Sequence, residues 1–371
     1  MKKKLTSIVA LLVCTYSFSF AQENTPGITY LEQGDYQKAK DYYTIALKAN
    51  QSNADLFNYR AFAEYKLKEY KNAVEDYTRS IKLAPFDATS YYNRGNCEHE
   101  LHDEISALSD YNKCIDMKND YGDAYNNRAN IRVILKDSLN ALLDYNSAIE
   151  LEPDSAKAYL GRGNLKVRML DLDGAVDDYN KAISMDSVRP DYFFQRAGVL
   201  DSLGNYKKAL KDFNKVLVFD PNLPDGVSGV ADCEMKLGDI KKAIKDFDKV
   251  IEMEPKDGWA YLHRAFAKIQ AKDYPGAIQD CNQASKLMPT DPIPLVRRGD
   301  VKVALGKYSD ADADYVLAIG VDRSCAEAYY KRALEEIAGK HYDFGCRDLQ
   351  RAKELGQKKV DELIKQNCEG K

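Results

Sequence analysis

The sequence predicts an all-α solenoid of about ten helix pairs, and three observations predict it. A segment reading alanine, hydrophobic, any residue, aspartate, aromatic returns every 34 residues without insertion or deletion, at Ala73, Ala107, Ala141, Ala175, Ala209, Ala243, Ala277 and Ala311, with Cys281 replacing the aromatic and Asp312 the hydrophobic residue once each. With these alanines at position 20 of a 34-residue repeat, small residues fall at position 8, for example Gly95, Ala129 and Gly163, and aromatics fall at positions 4 and 24. Pro85, Pro153, Pro221, Pro255 and Pro289 fall at position 32. A fixed period of this length makes 371 residues one elongated array rather than two or three globular domains.

Each element follows from the repeat. Positions 4, 7, 8 and 11 share one helical face, and positions 20, 21, 24, 27 and 28 share another, so each repeat reads as two amphipathic helices of about thirteen residues. Small residues at 8 and 20 let the two backbones approach closely. A polar turn near positions 15 to 17, such as Leu203 to Tyr206, joins them. Proline at 32 stops the second helix and lets the chain re-enter the next repeat.

The 34-residue unit, the small residues at 8 and 20, the aromatic at 24 and the proline at 32 together resemble the tetratricopeptide repeat family. Ten units fit between residues 20 and 359, over nine-tenths of the chain. The resemblance implies a right-handed solenoid with a degenerate first repeat at 22–53, in which Gly27, Tyr30, Ala39, Tyr43 and Ala46 keep phase, and nine repeats at 54–359. Repeat 10 departs from the pattern with Gly345 at position 20. The segment QKKVDELIKQNCEGK reads as a polar capping helix, whose end and tail occupy 360–371.

Composition bounds the function. With 30% charged and 44% hydrophobic residues the chain has ample apolar surface for a core. Its 54 basic and 58 acidic residues are interspersed, so no basic face is set aside for nucleic-acid phosphates. The N-terminus reads as a secretory signal over residues 1–21: Lys2 to Lys4, an apolar stretch from Leu5 to Cys14, then Ser19-Phe20-Ala21. Cleavage near Ala21 would place the mature chain in the periplasm or outside the cell. Lipidation at Cys14 is the alternative, against which Val13 stands where a small residue is needed. An uncleaved membrane anchor would need a longer apolar run than this one.

Seven cysteines follow the signal, at 97, 114, 233, 281, 325, 346 and 368, with no CxxC and no regular spacing. That argues against a disulfide framework or a zinc site, and reads Cys97, Cys114, Cys233, Cys281 and Cys346 as small core residues. Export permits one bridge, which the sequence does not pair.

Charges recur on both apolar faces. Position 7 is arginine in most repeats, as in Arg94, Arg128 and Arg162, and position 23 is aspartate, as in Asp110, Asp144 and Asp178. The turn within a repeat centres midway between 7 and 23, and the turn between repeats centres midway between 23 and the next 7. Each aspartate can therefore face the arginine of its own repeat, of the next, or both. We read these residues as a structural ladder, with repeat 7 as its test because Val230 replaces the arginine.

No phosphate-binding glycine loop, nucleophile elbow, HExxH or dinucleotide glycine pattern occurs. No catalytic, cofactor-binding or metal-ligating residue is assigned, and neither a cofactor nor a small-molecule substrate is expected. His99 and His102, with Glu98 and Asp103, have metal-ligand spacing, but His102 falls in the turn and a solvated helix end accounts for them.

The resemblance implies a concave groove lined by first helices and filled by partner segments. There the chain carries Asn93, Asn96, Asn126, Asn127, Asn130 and Asn164. Amides donate to and accept from a peptide backbone with little side-chain selectivity, and the row is similar to the asparagine ladder of O-linked N-acetylglucosamine transferase repeats. Asn96, Asn127 and Lys157 match three of five positions of the co-chaperone carboxylate clamp, with Tyr92 and Gly161 at the other two. Farther along, Trp259, Leu262, Phe266 and Ile269, then Ile293, Val296 and Val303, form an apolar strip expected to dock a partner or the solenoid's own next turn, with Trp259 as the anchor. The expected function is a non-enzymatic protein-binding scaffold of the bacterial cell envelope, touching membranes only through its partners. A periplasmic assembly or chaperone factor for outer-membrane or secreted clients is the alternative.

Overall fold

The computed structural model of the chain describes residues 26–358 and 360–368, and the signal segment lies outside them. Among the described residues all regular structure is helical. The chain forms two compact bodies, Met1–Ser187 and Val188–Lys371, each an array of antiparallel helix pairs. We call the two helices of a repeat A and B. In repeat 3 they are Ala88–Glu100 and Glu104–Met117, in repeat 4 Gly122–Ile134 and Ser138–Leu151, and in repeat 5 Ala156–Arg168 and Leu172–Met185. Repeats 7 and 8 in the second body run Pro224–Leu237 with Ile240–Met253, and Gly258–Gln270 with Tyr274–Leu287.

The ends of these helices have local causes. Asp103, Asp137, Asp171 and Asp273, at position 16, accept the backbone N–H three residues on and cap helix B. Between A and B, position 15 always turns left-handed, on glycine at Gly204, Gly238 and Gly306 and on non-glycine residues at Lys68, His102, Lys136, Leu170, Lys272 and Lys340. His102 therefore belongs to a tight turn.

Helices A and B meet through position 8, position 20 and the position 24 ring, and position 10 of the next repeat closes the layer. Ala129, Ala141, Tyr145 and Leu165 form one such layer, and Ala265, Ala277, Cys281 and Val301 another. Each buried ring or branched side chain contributes about 1.5–3 kcal/mol. Gly345 of repeat 10 is required by its neighbour, since a Cβ there would lie 2.6 Å from Ile337 Cγ1. Helix B of that repeat, Tyr342–Glu354, forms around it.

The C-terminal helix, Asp361–Asn367, packs through Leu363 and Ile364 on Ala333, Leu349 and Ala352. Cys346 is not the free core cysteine expected: it is bonded to Cys368, with Cα atoms 5.7 Å apart. The terminal helix folds back over helix B and brings the two sulfurs together, a closure of 22 residues that stabilises by about 3 kcal/mol. Cys97, Cys114, Cys233 and Cys281 are free and buried, as is Cys325.

Candidate functional site

The ladder is built within repeats. In eight repeats the position 7 arginine grips the position 23 aspartate of its own helix pair with both oxygens engaged, Nε donating to Oδ2 and Nη2 to Oδ1. For Arg94–Asp110, Arg128–Asp144 and Arg162–Asp178 these bonds span 2.6–2.9 Å. Arg60–Asp76, Arg196–Asp212, Arg264–Asp280, Arg298–Asp314 and Arg332–Asp348 repeat the geometry.

The remaining nitrogen, Nη1, reaches position 25 of the preceding repeat: Thr78 from Arg94, Asn112 from Arg128, Asn146 from Arg162 and Asn282 from Arg298. One planar fork thus joins two helices of one repeat to the repeat before it. The position 4 ring lies under the guanidinium, as Tyr125 does under Arg128 at 5.3 Å.

Position 11 differs from node to node; it is the uncharged Leu200 in repeat 6, and in repeat 10 it is Glu336, paired with His341. Arg132, Lys166, Lys268 and Lys302 add a second cation to Asp144, Asp178, Asp280 and Asp314 at 2.6–2.8 Å. In repeats 2, 3 and 7 the same position is Glu64, Glu98 or Glu234, and each has an Oε2 that is buried without a hydrogen-bond partner. Burial and the neighbouring Asp76 push Glu64 up to about 7, and burial with Asp110 pushes Glu98 up to about 8. Glu234 moves the same way through burial and Asp246. With Val230 in the arginine's place, Asp246 turns to Lys249, 2.5 Å away, whereas Asp212 keeps Arg196.

The asparagine row stands on the helix A face of the first body, and helix B holds part of it. Tyr111 donates its hydroxyl to Asn96 Oδ1 at 2.7 Å, Tyr145 to Asn130 Oδ1 at 2.6 Å and Tyr179 to Asn164 Oδ1 at 2.7 Å. Position 24 thus fixes the amide oxygen at position 9 in three successive repeats, and Asn130 and Asn164 are exposed. In repeat 9 the same bond runs from Tyr315 to Asp300 at 3.0 Å.

Asn127 donates to Asn96 Oδ1 at 2.9 Å and to the Tyr92 hydroxyl at 3.1 Å, and Asn126 donates to Asn127 Oδ1 at 3.2 Å. Asn126 is buried and its Oδ1 is unpartnered. Asn93 is half-buried on the same helix as Asn96.

A pocket of about 320 Å³ opens on this face, between Tyr65, Tyr92, Asn96, Asn127, Asn130 and Lys157. It joins repeats 2 to 5. Lys157 forms an ion pair with Asp123, which occupies part of its charge. His99 Nδ1 lies 2.8 Å from Glu104 Oε2 at the pocket's end.

The apolar strip is less exposed than expected. Leu262 and Val296 are fully buried, Val296 in a cluster with Tyr315 of its own repeat and Ala328 of the next, so both belong to the core rather than to a docking surface. Phe266 is half-buried beneath the Arg297 guanidinium, 5.3 Å from its ring centroid. Trp259 remains 51% exposed, edge-on to His263.

Sequence reasoning missed the tyrosine hydroxyls. A partial signal was present: asparagine or aspartate stands at position 9 in repeats 3, 4, 5 and 9, where position 24 is tyrosine, but repeat 2 pairs Tyr77 with Phe62 and repeat 7 pairs Phe247 with Asp232.

Two profiles described as tetratricopeptide repeat match the chain, one at residues 27–88 and 160–224 and the other at 88–121, 122–155 and 230–257, together more than half of its length. A crystal structure of a tetratricopeptide repeat protein from Parabacteroides merdae is similar with a TM-score of 0.59 at 24% identity, covering 66% of this chain and 97% of that one. YrrB, a tetratricopeptide repeat protein described as having an unusual peptide-binding site, gives 0.46 at 24% identity over 50% of this chain and 95% of its own. Yeast Tom70 gives 0.48 at 14% identity over 94% of each chain. No curated protein matches.

Proposed function

Because the chain belongs to the tetratricopeptide repeat family, we propose that it is a non-enzymatic protein-binding scaffold of the bacterial cell envelope that holds partner segments on the helix A face of repeats 2 to 5. The observation that carries this reading is the row of position 9 amides, Asn96, Asn130 and Asn164, each oriented by a tyrosine of its own helix B. An amide held by its oxygen presents its NH2 at one-repeat intervals, ready to donate to backbone carbonyls of an extended segment without first losing side-chain entropy. Export is supported by the N-terminal pattern around Lys2 to Lys4 and Ala21, and by the Cys346–Cys368 bond, which suits an oxidising compartment.

The test exploits repeat 9, where an aspartate accepts the same tyrosine bond. Asn130→Asp with Asn164→Asp keeps the acceptor for Tyr145 and Tyr179 but replaces both outward donors with carboxylate oxygen. The mature chain and this variant are used to capture partners from envelope extract, with thermal melts confirming that both are folded. One partner retained by the parent and lost by the variant supports a dedicated scaffold. Many clients, all weakened together, favour the chaperone reading, since amides recognise backbone rather than side chains. Equal capture by both proteins overturns the groove assignment.

A further inference from the structure

A second cavity, about 570 Å³, lies away from the asparagine face, where helix B of repeat 1, Tyr36–Ala49, meets helix B of repeat 2, Tyr70–Leu83. Its floor is apolar, made by the buried Leu47 and Phe57. Its rim is basic: Lys48, Arg79 and Lys82 stand around the opening, and no carboxylate lines it. Among the described residues none of these three forms an ion pair, in a chain where acidic residues outnumber basic ones. The Arg79 guanidinium sits 5.8 Å from the Phe57 ring centroid, and Arg60 lies at the same distance.

Arg60 brings a fourth cation to the cavity wall. Its Nε and Nη2 hold Asp76, but its Nη1 reaches Thr44 only at 3.4 Å, where Arg128, Arg162 and Arg298 make the equivalent bond at 2.6–2.9 Å. This corner is also particular to its place in the array. Position 29 is lysine in both repeats 1 and 2, but Asp116 and Glu150 in repeats 3 and 4, and repeat 1 has Gln51 where repeats 2, 4, 6, 7 and 8 have proline.

We infer that this cavity is a binding site for a small amphiphilic anion, a carboxylate or phosphate group carried on a compact aromatic or alkyl body. The apolar body would lie on Leu47 and Phe57, and the anionic group would meet the Arg79 fork and the ammonium groups of Lys48 and Lys82. Guanidinium matches both carboxylate and phosphate through paired N–H donors and stacks on aromatic planes. A volume of this size suits a compact ligand of that class. The site is independent of the groove reading, since it shares no residue with the asparagine face.

Three probes of one shape test it: 2-naphthoate, 2-naphthyl phosphate and the neutral 2-naphthalenemethanol, titrated into the full-length mature chain by calorimetry at low salt. Both anions are expected to bind at least tenfold more tightly than the alcohol, and to weaken as salt is added. The preferred anion distinguishes a carboxylate ligand from a phosphate one. Arg79→Glu with Lys82→Glu should reduce anion affinity at least tenfold. Lys113→Glu with Lys181→Glu, the same charge change at position 26 of repeats 3 and 5, should leave it within twofold. A neutral pair, Lys48→Gln with Lys82→Gln, gives an intermediate loss if the acidic variant unfolds. No binding at millimolar probe, equal binding of the alcohol, or equal losses from the two acidic pairs would each overturn the proposal.

Discussion

In repeats 4 and 5 the buried helix B aspartate faces two cations, Arg128 and Arg132 on Asp144, Arg162 and Lys166 on Asp178. In repeats 2 and 3 it faces one, with Glu64 or Glu98 where the second would be. The backbone frame is the same, since each pair sits sixteen residues apart on matched A and B helices. The difference teaches that geometry is held by the fork while position 11 sets the charge of the node. A node with two cations has one cation more than its carboxylate needs. In a node with two carboxyls and one cation, burial and the aspartate push the glutamate up, to about 7 at Glu64 and about 8 at Glu98.

Removing the fork should separate the two kinds most sharply. Arg94→Ala strands Asp110, 4% exposed, beside Glu98 with no cation left, and at pH 8 should cost about 3–5 kcal/mol in urea unfolding of the first body. Arg128→Ala leaves Asp144 with Arg132 at 2.6 Å and should cost roughly 1–2 kcal/mol. Equal losses would mean that position 11 does not share in the node.

The next effect is a pH dependence set by Glu64 and Glu98 in repeats 2 and 3. Between the ordinary glutamate value of 4.5 and about 8, Glu98 is protonated in the folded chain and ionised in the unfolded one. The unfolded state then binds fewer protons, so stability falls as pH rises through this window and the loss is complete above it. Glu64 does the same up to about 7. Glu98→Gln should match the parent near pH 4 and exceed it by about 1–3 kcal/mol at pH 9, because it removes a buried carboxylate oxygen that finds no partner. Unfolding midpoints of the two proteins measured from pH 4 to 9 decide this. Parallel curves would show that Glu98 ionises freely in the folded state.

Most of the frame could be read from the chain because a repeat multiplies its own evidence. Small residues at 8 and 20, recurring at one spacing, determine which helices touch, and the position 32 proline marks the restart after repeats 2, 4, 6, 7 and 8. What stayed hidden depends on side chains meeting across repeats. The spacing of Arg94 and Asp110 allows a partner on either side with equal merit, and the choice is made by Thr78 and its position 25 equivalents, which take the third nitrogen of the fork. The asparagines looked like free groove residues because their tyrosine partners lie on the other helix, fifteen residues away. Leu262 looked exposed because period alone does not say how deeply a position 5 side chain is buried, and that depth differs between repeats. Cys346 and Cys368 share no repeat position, so no periodic argument could pair them.

The smallest effect asks whether the node is a transferable part. Repeat 7 has Glu234 at position 11 and Asp246 at position 23 but Val230, 6% exposed, in place of the fork. Val230→Arg gives up about 1.5–3 kcal/mol of apolar burial. It gains a cation for two carboxyls, one with an unpartnered buried oxygen, and Asn214 stands at position 25 of the repeat before it. The two terms are of similar size, so the stability of the second body at pH 7 should change by less than about 1 kcal/mol. The clearer signature is in pH: the new arginine should lower the raised Glu234 and flatten the fall in stability as pH rises above the ordinary glutamate value. A loss above about 2 kcal/mol with an unchanged pH slope would show that the fork needs more than its two carboxyls and its position 25 partner, and that repeat 7 has repacked around valine.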